Sequence, residues 1–303
     1  MIQIIIFSFN RALQLDALLN SIVNYWKGTD YKLSVLYNTT SESYQQGYDQ
    51  LKQMYPNFSF VKETSKMQLY PLKDYFSFFN LKKIIKYPKV RKQRSNFRSL
   101  LNQILKDSDC PYTMFLTDDS AFIKGVNLKK EVFDFIDRNP VQNSISLRLG
   151  IMATTPTPSL KLENGRIIWN FNEHRADRSW GYNFSVDGHI YNTSLMRKLL
   201  GSCVFNNPSY LEGHICDYVI RHKLLNQCMT YEHPFMLSFP INMVQDVVVN
   251  ESLGVSEKEL NKYFLEGERL IYPIPNEIVE FQQYPKYLEL EGKSGKRKLV
   301  IQS

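Results

Sequence analysis

Asp118-Asp119 is the point in this chain where residue type and spacing first suggest chemistry. The two carboxylates follow the run Tyr112-Thr113-Met114-Phe115-Leu116-Thr117. Such a run reads as a buried strand whose charge is held back until the chain leaves the sheet. Adjacent carboxylates repel, so a fold that keeps both ionised usually supplies a cation. A divalent ion bound by one or two carboxylates plus substrate phosphates is one common solution. A solvated turn is the plain alternative, because Asp is frequent in turns.

The surrounding periodicity predicts how those residues are positioned. Residues 2 to 7 form an apolar run fit for a strand buried on both faces, broken by Ser8-Phe9-Asn10-Arg11. Leu15, Leu18, Leu19, Ile22, Val23 and Trp26 step as one helix face. A strand at Lys32 to Tyr37, ending in Asn38, a helix near 43 to 54, and a strand at Phe58 to Val61 follow. The alternation implies a parallel sheet with right-handed crossovers. A helix from Ser95, with Phe97, Leu100, Leu101, Ile104 and Leu105 on one face, delivers the chain to the acidic doublet. Ligands of such sheets sit beyond the carboxyl ends of the strands, where Asn10, Arg11, Asn38 and Asp118-Asp119 would meet.

The second half reads differently. Ile145 to Leu149, Arg166 to Phe171 and Ser185 to Tyr191 are expected strands, and a helix from about Ser209 places Glu212 near its start. Trp169, Trp180 and Tyr182 around Asp177-Arg178-Ser179-Trp180-Gly181-Tyr182 suit a sugar ring, but core packing is the more frequent use of such rings. Asp187, beside Gly188, is a candidate for acceptor hydroxyls, since glycine permits close approach; His189 and His233 read as structural. Ser256-Glu257-Lys258-Glu259 has the form of a capping box. The chain from Tyr284 onward reads as polar, basic and loose.

Composition narrows the function classes. The chain has 303 residues, 43% of them hydrophobic, enough for a sizeable core. The opening Met1 to Ile6 reads as a strand and not as a signal peptide. Cys110, Cys203, Cys216 and Cys228 form no C-x-x-C pair and read as reduced thiols of a cytoplasmic protein. The net charge of +7 is local: Lys82, Lys83, Lys86, Lys89, Arg91, Lys92, Arg94 and Arg98 lie in a stretch with no acid, and without them the chain is near neutral. By default this run is a solvated surface. As a patch it suits phosphates or peripheral contact with an anionic membrane at the inner face, and with no nucleic-acid motif in view no nucleic acid is expected as a partner. Gly292-Lys293-Ser294 is not a phosphate-binding loop, because Tyr287 stands where that motif needs glycine.

Four segments in order carry a resemblance. Ile4 to Arg11, Thr117-Asp118-Asp119, Tyr210-Leu211-Glu212-Gly213-His214-Ile215-Cys216-Asp217 and Pro240 to Gly254 resemble the GT-A-fold glycosyltransferases, in particular the family-2 type of bacterial surface-glycan synthesis. The resemblance implies an α/β fold, a Rossmann-like mixed sheet flanked by helices. It divides the chain into a nucleotide-sugar-binding half at 1–125, an acceptor-binding half at 126–254, and a helical extension with a basic tail at 255–303. It also implies a metal-dependent, inverting transfer of a sugar from a nucleotide-sugar donor, expected to be a UDP-sugar, to a saccharide or lipid-linked acceptor. Asp119 with Asp246 would hold Mn²⁺ or Mg²⁺, and Asp118 would contact the ribose or share the ion. Ser8, Asn10, Arg11 and Asn38 would line the nucleotide, Arg94 or Arg98 would meet the pyrophosphate, and Glu212 would be the general base. Three positions depart from the pattern: Thr117 opens the carboxylate motif, Gly213 replaces a second acid, and Asp246 stands where a metal-binding His is usual. A sugar-nucleotide nucleotidyltransferase is the first competing class, disfavoured because residues 8 to 14 contain no glycine for a triphosphate loop. A non-catalytic nucleotide-sugar-binding protein of the same fold is the second.

Overall fold

The apolar run near the start, broken only by Gln3, becomes a central strand buried on both faces. The computed structural model describes residues 1–64, 95–151, 160, 162–177, 179–242, 253–276, 278, 280–293 and 295–300. Arg94, Arg178, Asp246 and the Lys82–Arg94 part of the basic run lie outside the described residues.

The first half is β1 (Ile2–Phe9), α1 (Ala12–Tyr25), β2 (Trp26–Lys27), β3 (Tyr31–Asn38), α2 (Glu42–Met54), β4 (Ser59–Lys62), α3 (Phe97–Asp107), β5 (Tyr112–Thr117), β6 (Ser120–Phe122) and β7 (Val126–Asn127). The second half adds α4 (Lys130–Arg138), β8 (Asn143–Ser146), β9 (Leu162–Glu163), β10 (Arg166–Asn170), β11 (His189–Asn192), α5 (Thr193–Ser202), α6 (Pro208–Arg221), β12 (Gln227–Tyr231) and β13 (Met236–Ser238). The C-terminal part holds α7 (Glu257–Leu265), β14 (Arg269–Ile271), β15 (Tyr287–Gly292) and β16 (Gly295–Val300).

One sheet runs through both halves in the order β4-β3-β1-β5-β11-β8-β12-β10-β9. Strands β4, β3, β1 and β5 are parallel, and β11 enters antiparallel to β5. The expected α/β fold, a mixed sheet flanked by helices, is therefore the observed one. Two apolar layers cover its faces. One includes Ile4, Ile6, Leu15, Leu18, Val35, Met114 and Leu116; the other includes Ile5, Phe7, Leu101, Phe115, Leu199 and Ile215. The alternation of β1 between these layers is the two-residue strand period read out in space.

Several expectations change. The strand foreseen over Ser185 to Tyr191 starts only at His189, because Gly188 at φ 74° turns the chain just before it. The strand foreseen over Ile145 to Leu149 ends at Ser146. Val23, placed on the apolar face of α1, is 47% exposed. Ser256 takes the N-cap position of α7, but its hydroxyl makes no cap hydrogen bond. The tail that reads as loose contains the hairpin β15–β16, paired to β14, because Leu288 and Leu290 alternate into the core. One expectation holds: Trp169 and Trp180 are both buried in an edge-to-face pair at 4.9 Å, so these two rings pack as core, the more frequent use of such rings.

Candidate active site

The parallel register fixes the site. Phe7 pairs with Thr117 across β1 and β5, and the N–H of Asp118 donates to the Phe7 carbonyl at 3.2 Å. The exits of both strands therefore leave side by side, and Asp118 is carried to the turn between β1 and α1. The turn itself depends on Asn10, which adopts φ 56°, a left-handed conformation that Asn tolerates better than most residues. The Asn10 side chain then fastens the loop after β3: its Oδ1 accepts from the Thr40 N–H and its Nδ2 donates to Thr40 Oγ1, each at 2.9 Å. Asn38 contributes its backbone carbonyl to the Asn10 N–H, and its Oδ1 accepts from the Thr39 N–H.

Asp118 is buried and fully engaged. Its Oδ2 accepts from Ser8 Oγ at 2.7 Å and from the Phe9 N–H at 3.2 Å, and its Oδ1 accepts from Arg11 Nη1 at 2.9 Å. The carboxylate expected to meet a ribose is thus occupied in anchoring Arg11. Ser8, expected to line the nucleotide, is likewise buried and joined to the Tyr48 hydroxyl at 2.6 Å. Arg11 also donates to Asp119 Oδ2 at 3.3 Å and to the Asn242 carbonyl. Burial pushes the Arg11 guanidinium down, but Asp118 and then Asp119 outweigh it and hold it above its ordinary value. A buried cation between two carboxylates is the answer this fold gives to the repulsion within the doublet.

Asp119 is the more open acid. Its side chain is 21% exposed, and its Oδ1 makes no hydrogen bond among the described residues. Among those residues no group of three or more His, Cys, Asp or Glu is placed to hold a metal ion. One carboxylate still fits a magnesium- or manganese-type ion that takes its remaining ligands from phosphates and water. Arg98 sits in the first turn of α3, where its Nη2 donates to the Gly201 carbonyl at 3.1 Å and its guanidinium lies over Phe205. It faces the end of α5 and is not joined to the Arg11–Asp118 cluster.

Across β5 lies a second polar cluster. Ser120, next to Asp119, donates to Asp187 Oδ1 at 2.8 Å, and Ser238 donates to Asp187 Oδ2 at 2.7 Å. Glu212 lies in the second turn of α6, a helix capped by Asn207 with Pro208 at its start. Its Oε1 accepts from the Val186 N–H at 2.9 Å, which ties α6 to the turn carrying Asp187. Burial pushes the Glu212 carboxyl above its ordinary value; the Val186 N–H and Arg148 pull it partly back. A half-buried acid with raised basicity has the properties of a general base. His189 is buried and, with its ring pushed down to about 3 by burial and then by Arg148, stays neutral, in keeping with a structural role.

Sequence reasoning missed Tyr48, Asn242, Tyr272, Arg148, Ser120 and Ser238. Tyr272 arrives from the strand end after β14, its ring stacked on Phe239 at 4.0 Å and its hydroxyl buried without a partner among the described residues. None of these carries a motif: Tyr48, Arg148 and Asn242 lay inside segments already read as a helix, a strand and a motif-bearing stretch, and Ser120 directly follows the acidic doublet, but their residue types gave no signal there.

No protein-family model matches the chain. Over 285 residues it is 22% identical to the bifunctional glycosyltransferase pgtA of Dictyostelium discoideum, an alignment covering 82% of this chain. The chain spans 33% of the length of that curated relative. Solved structures of S. aureus TarS are also similar. The 1–349 form in complex with UDP-GlcNAc aligns at TM-score 0.45 and 14% identity, covering 83% of this chain and 62% of that one. The complex with UDP aligns at TM-score 0.42 and 16% identity, covering 78% of this chain and 59% of that one.

Proposed function

We propose that the chain is a glycosyltransferase that moves a sugar from a UDP-type nucleotide sugar to a saccharide or lipid-linked acceptor, with inversion. The observation that carries this reading is the gathering of Arg11, Asp119, Asp187 and Glu212 at one edge of the sheet, where strands from both halves end or begin. Its sequence similarity to a glycosyltransferase gives further support.

In the proposed reaction the bond between the anomeric carbon and the diphosphate oxygen breaks, its electron pair leaving with the nucleoside diphosphate. The acceptor oxygen bonds to the opposite face of that carbon, and its proton passes to Glu212. Arg11, fixed by Asp118 and the Asn242 carbonyl, holds a positive charge beside Asp119 at the start of α1, a helix N-terminus that itself favours anions. Asp119, with Asp246 from outside the described residues, would hold Mn²⁺ or Mg²⁺. Such an ion acts as a Lewis acid toward departing phosphates. The basic run from Lys82 to Arg98 suits docking on an anionic membrane surface, which would bring a lipid-linked acceptor to the site.

Incubation with a panel of nucleotide sugars and Mn²⁺ tests the reading. Slow hydrolysis to a nucleoside diphosphate supports it. Pyrophosphate release from a nucleoside triphosphate and a sugar phosphate would point instead to a nucleotidyltransferase, and binding without turnover to a non-catalytic module. Co-sedimentation with phosphatidylglycerol vesicles that weakens as salt rises tests the membrane contact.

A further inference from the structure

Beside Asp187 the sheet edge carries an arginine whose donors are largely unspent among the described residues. Arg148 follows β8, where the Leu147 N–H donates to the Gly188 carbonyl and so sets the residue beside Asp187. Its side chain is only 13% exposed. Nη1 reaches Asp187 Oδ2 at 3.5 Å, the long limit of a hydrogen bond. Nε is buried without a partner, and Nη2 makes no hydrogen bond among the described residues. A guanidinium has five donors in a fixed fork and no acceptor, and donors left unmade in a largely buried place are costly.

The fork is also held in orientation. The guanidinium lies 4.3 Å from the centre of the Phe281 ring. Phe281 is brought there by β13, since the Ser238 N–H donates to its carbonyl and Ser238 bridges to Gln282. Asp187, clamped by Ser120 and Ser238, fixes the other side. Arg148 is paired with Asp187, and its charge also bears on Glu212 and on the neutral His189. With two acids already balancing the cation, an uncharged ring bearing hydroxyl or carbonyl oxygens matches these donors better than an anion.

An inverting displacement sets the leaving diphosphate and the attacking hydroxyl on opposite faces of the anomeric carbon. The transferred ring therefore lies between the diphosphate side at Asp119 and the base at Glu212. We propose that Arg148, oriented by Asp187 and Phe281, is a specificity-determining residue that donates hydrogen bonds to oxygen atoms of the transferred sugar. This rests on the glycosyltransferase reading above.

Titration calorimetry of the full chain with Mn²⁺, comparing UDP with UDP-glucose, UDP-galactose and UDP-GlcNAc, separates the two. R148A is expected to bind UDP as the wild type does and to bind the preferred UDP-sugar about tenfold more weakly, the loss that accompanies removal of one hydrogen bond from a charged donor. R148K keeps the charge and stem but not the planar fork; it is expected to show the same split and decides the matter if R148A does not fold. Equal weakening of UDP and UDP-sugar, or no change in either, overturns the assignment of Arg148 while leaving the proposed function standing. A wild-type chain that binds neither UDP nor any UDP-sugar overturns both.

Discussion

Asp118 and Asp119 are neighbours in sequence, yet the fold gives them different work. Asp118 is buried and spent on Ser8, Phe9 and Arg11, whereas Asp119 stays at the rim. Asp118→Asn should leave the Arg11 charge poorly paired in a buried site, and breaking such a pair typically costs about 3–5 kcal/mol. The expected result is a marked fall in the urea midpoint with little change in slope. Glu212 poses the opposite case. Glu212→Gln should lower kcat by about 10²–10⁴-fold, the usual contribution of a general base, while UDP affinity is retained. Because burial raises the Glu212 carboxyl above its ordinary 4.5, the rate should fall as pH drops through that raised value. The sign for stability runs the other way: an acid with a raised folded-state value favours folding when protonated, and that contribution is lost as pH rises. E212Q should therefore melt higher than the wild type at pH 8, with the advantage shrinking toward pH 4; a melting curve series that shows no such convergence contradicts this.

At the scale of elements, the close approach of α1, α2 and α7 holds the C-terminal part against the first half. A side chain at Gly47 would meet the Ala12 Cβ at 2.8 Å and Asn261 Oδ1 at 2.9 Å. Asn261 in turn donates to the Ser43 carbonyl at 3.0 Å. Gly→Ala within a helix ordinarily gains about 0.5–1 kcal/mol, but overpacking costs about 1–3 kcal/mol. Gly47→Ala should thus lower the melting temperature, reversing the propensity effect. Tyr272, close enough to Asp119, Asp118 and Arg11 to feel their charges, is placed by the strand that precedes it. The neighbouring Arg269 is locked to Asp16 by bonds of 2.8 and 2.7 Å and to the Tyr55 hydroxyl at 2.8 Å, so β14 runs beside α1. From sequence, the residues after Tyr284 read as loose because Lys293, Lys296, Arg297 and Lys298 dominate the eye. The two buried leucines of β15 are too sparse a pattern to outweigh them without a partner strand in view.

For the whole molecule, ligand linkage offers the broadest test. A ligand that binds only the folded chain stabilises it by about 2.7 kcal/mol at a hundredfold excess over its Kd. UDP with Mn²⁺ should raise the melting temperature, chelation should reverse much of the gain, and Asp119→Asn should blunt the response to the ion. No helix among the described residues is long and apolar enough to cross a membrane. The sequence by itself determined the layered α/β plan, because a strand buried on both faces and a helix with one apolar stripe are each written in local periodicity. It also determined that Asn10, Arg11, Asn38 and Asp118-Asp119 would end at one edge, since parallel crossovers leave no other arrangement. The tertiary structure alone decided which acid is buried and which is open, and it alone brought Arg148, Asp187 and Glu212 together from three separate segments. Those outcomes depend on strand register and on the angle at which α6 and the C-terminal strands approach. Both are properties of contacts between residues tens to hundreds of positions apart, which no local spacing encodes.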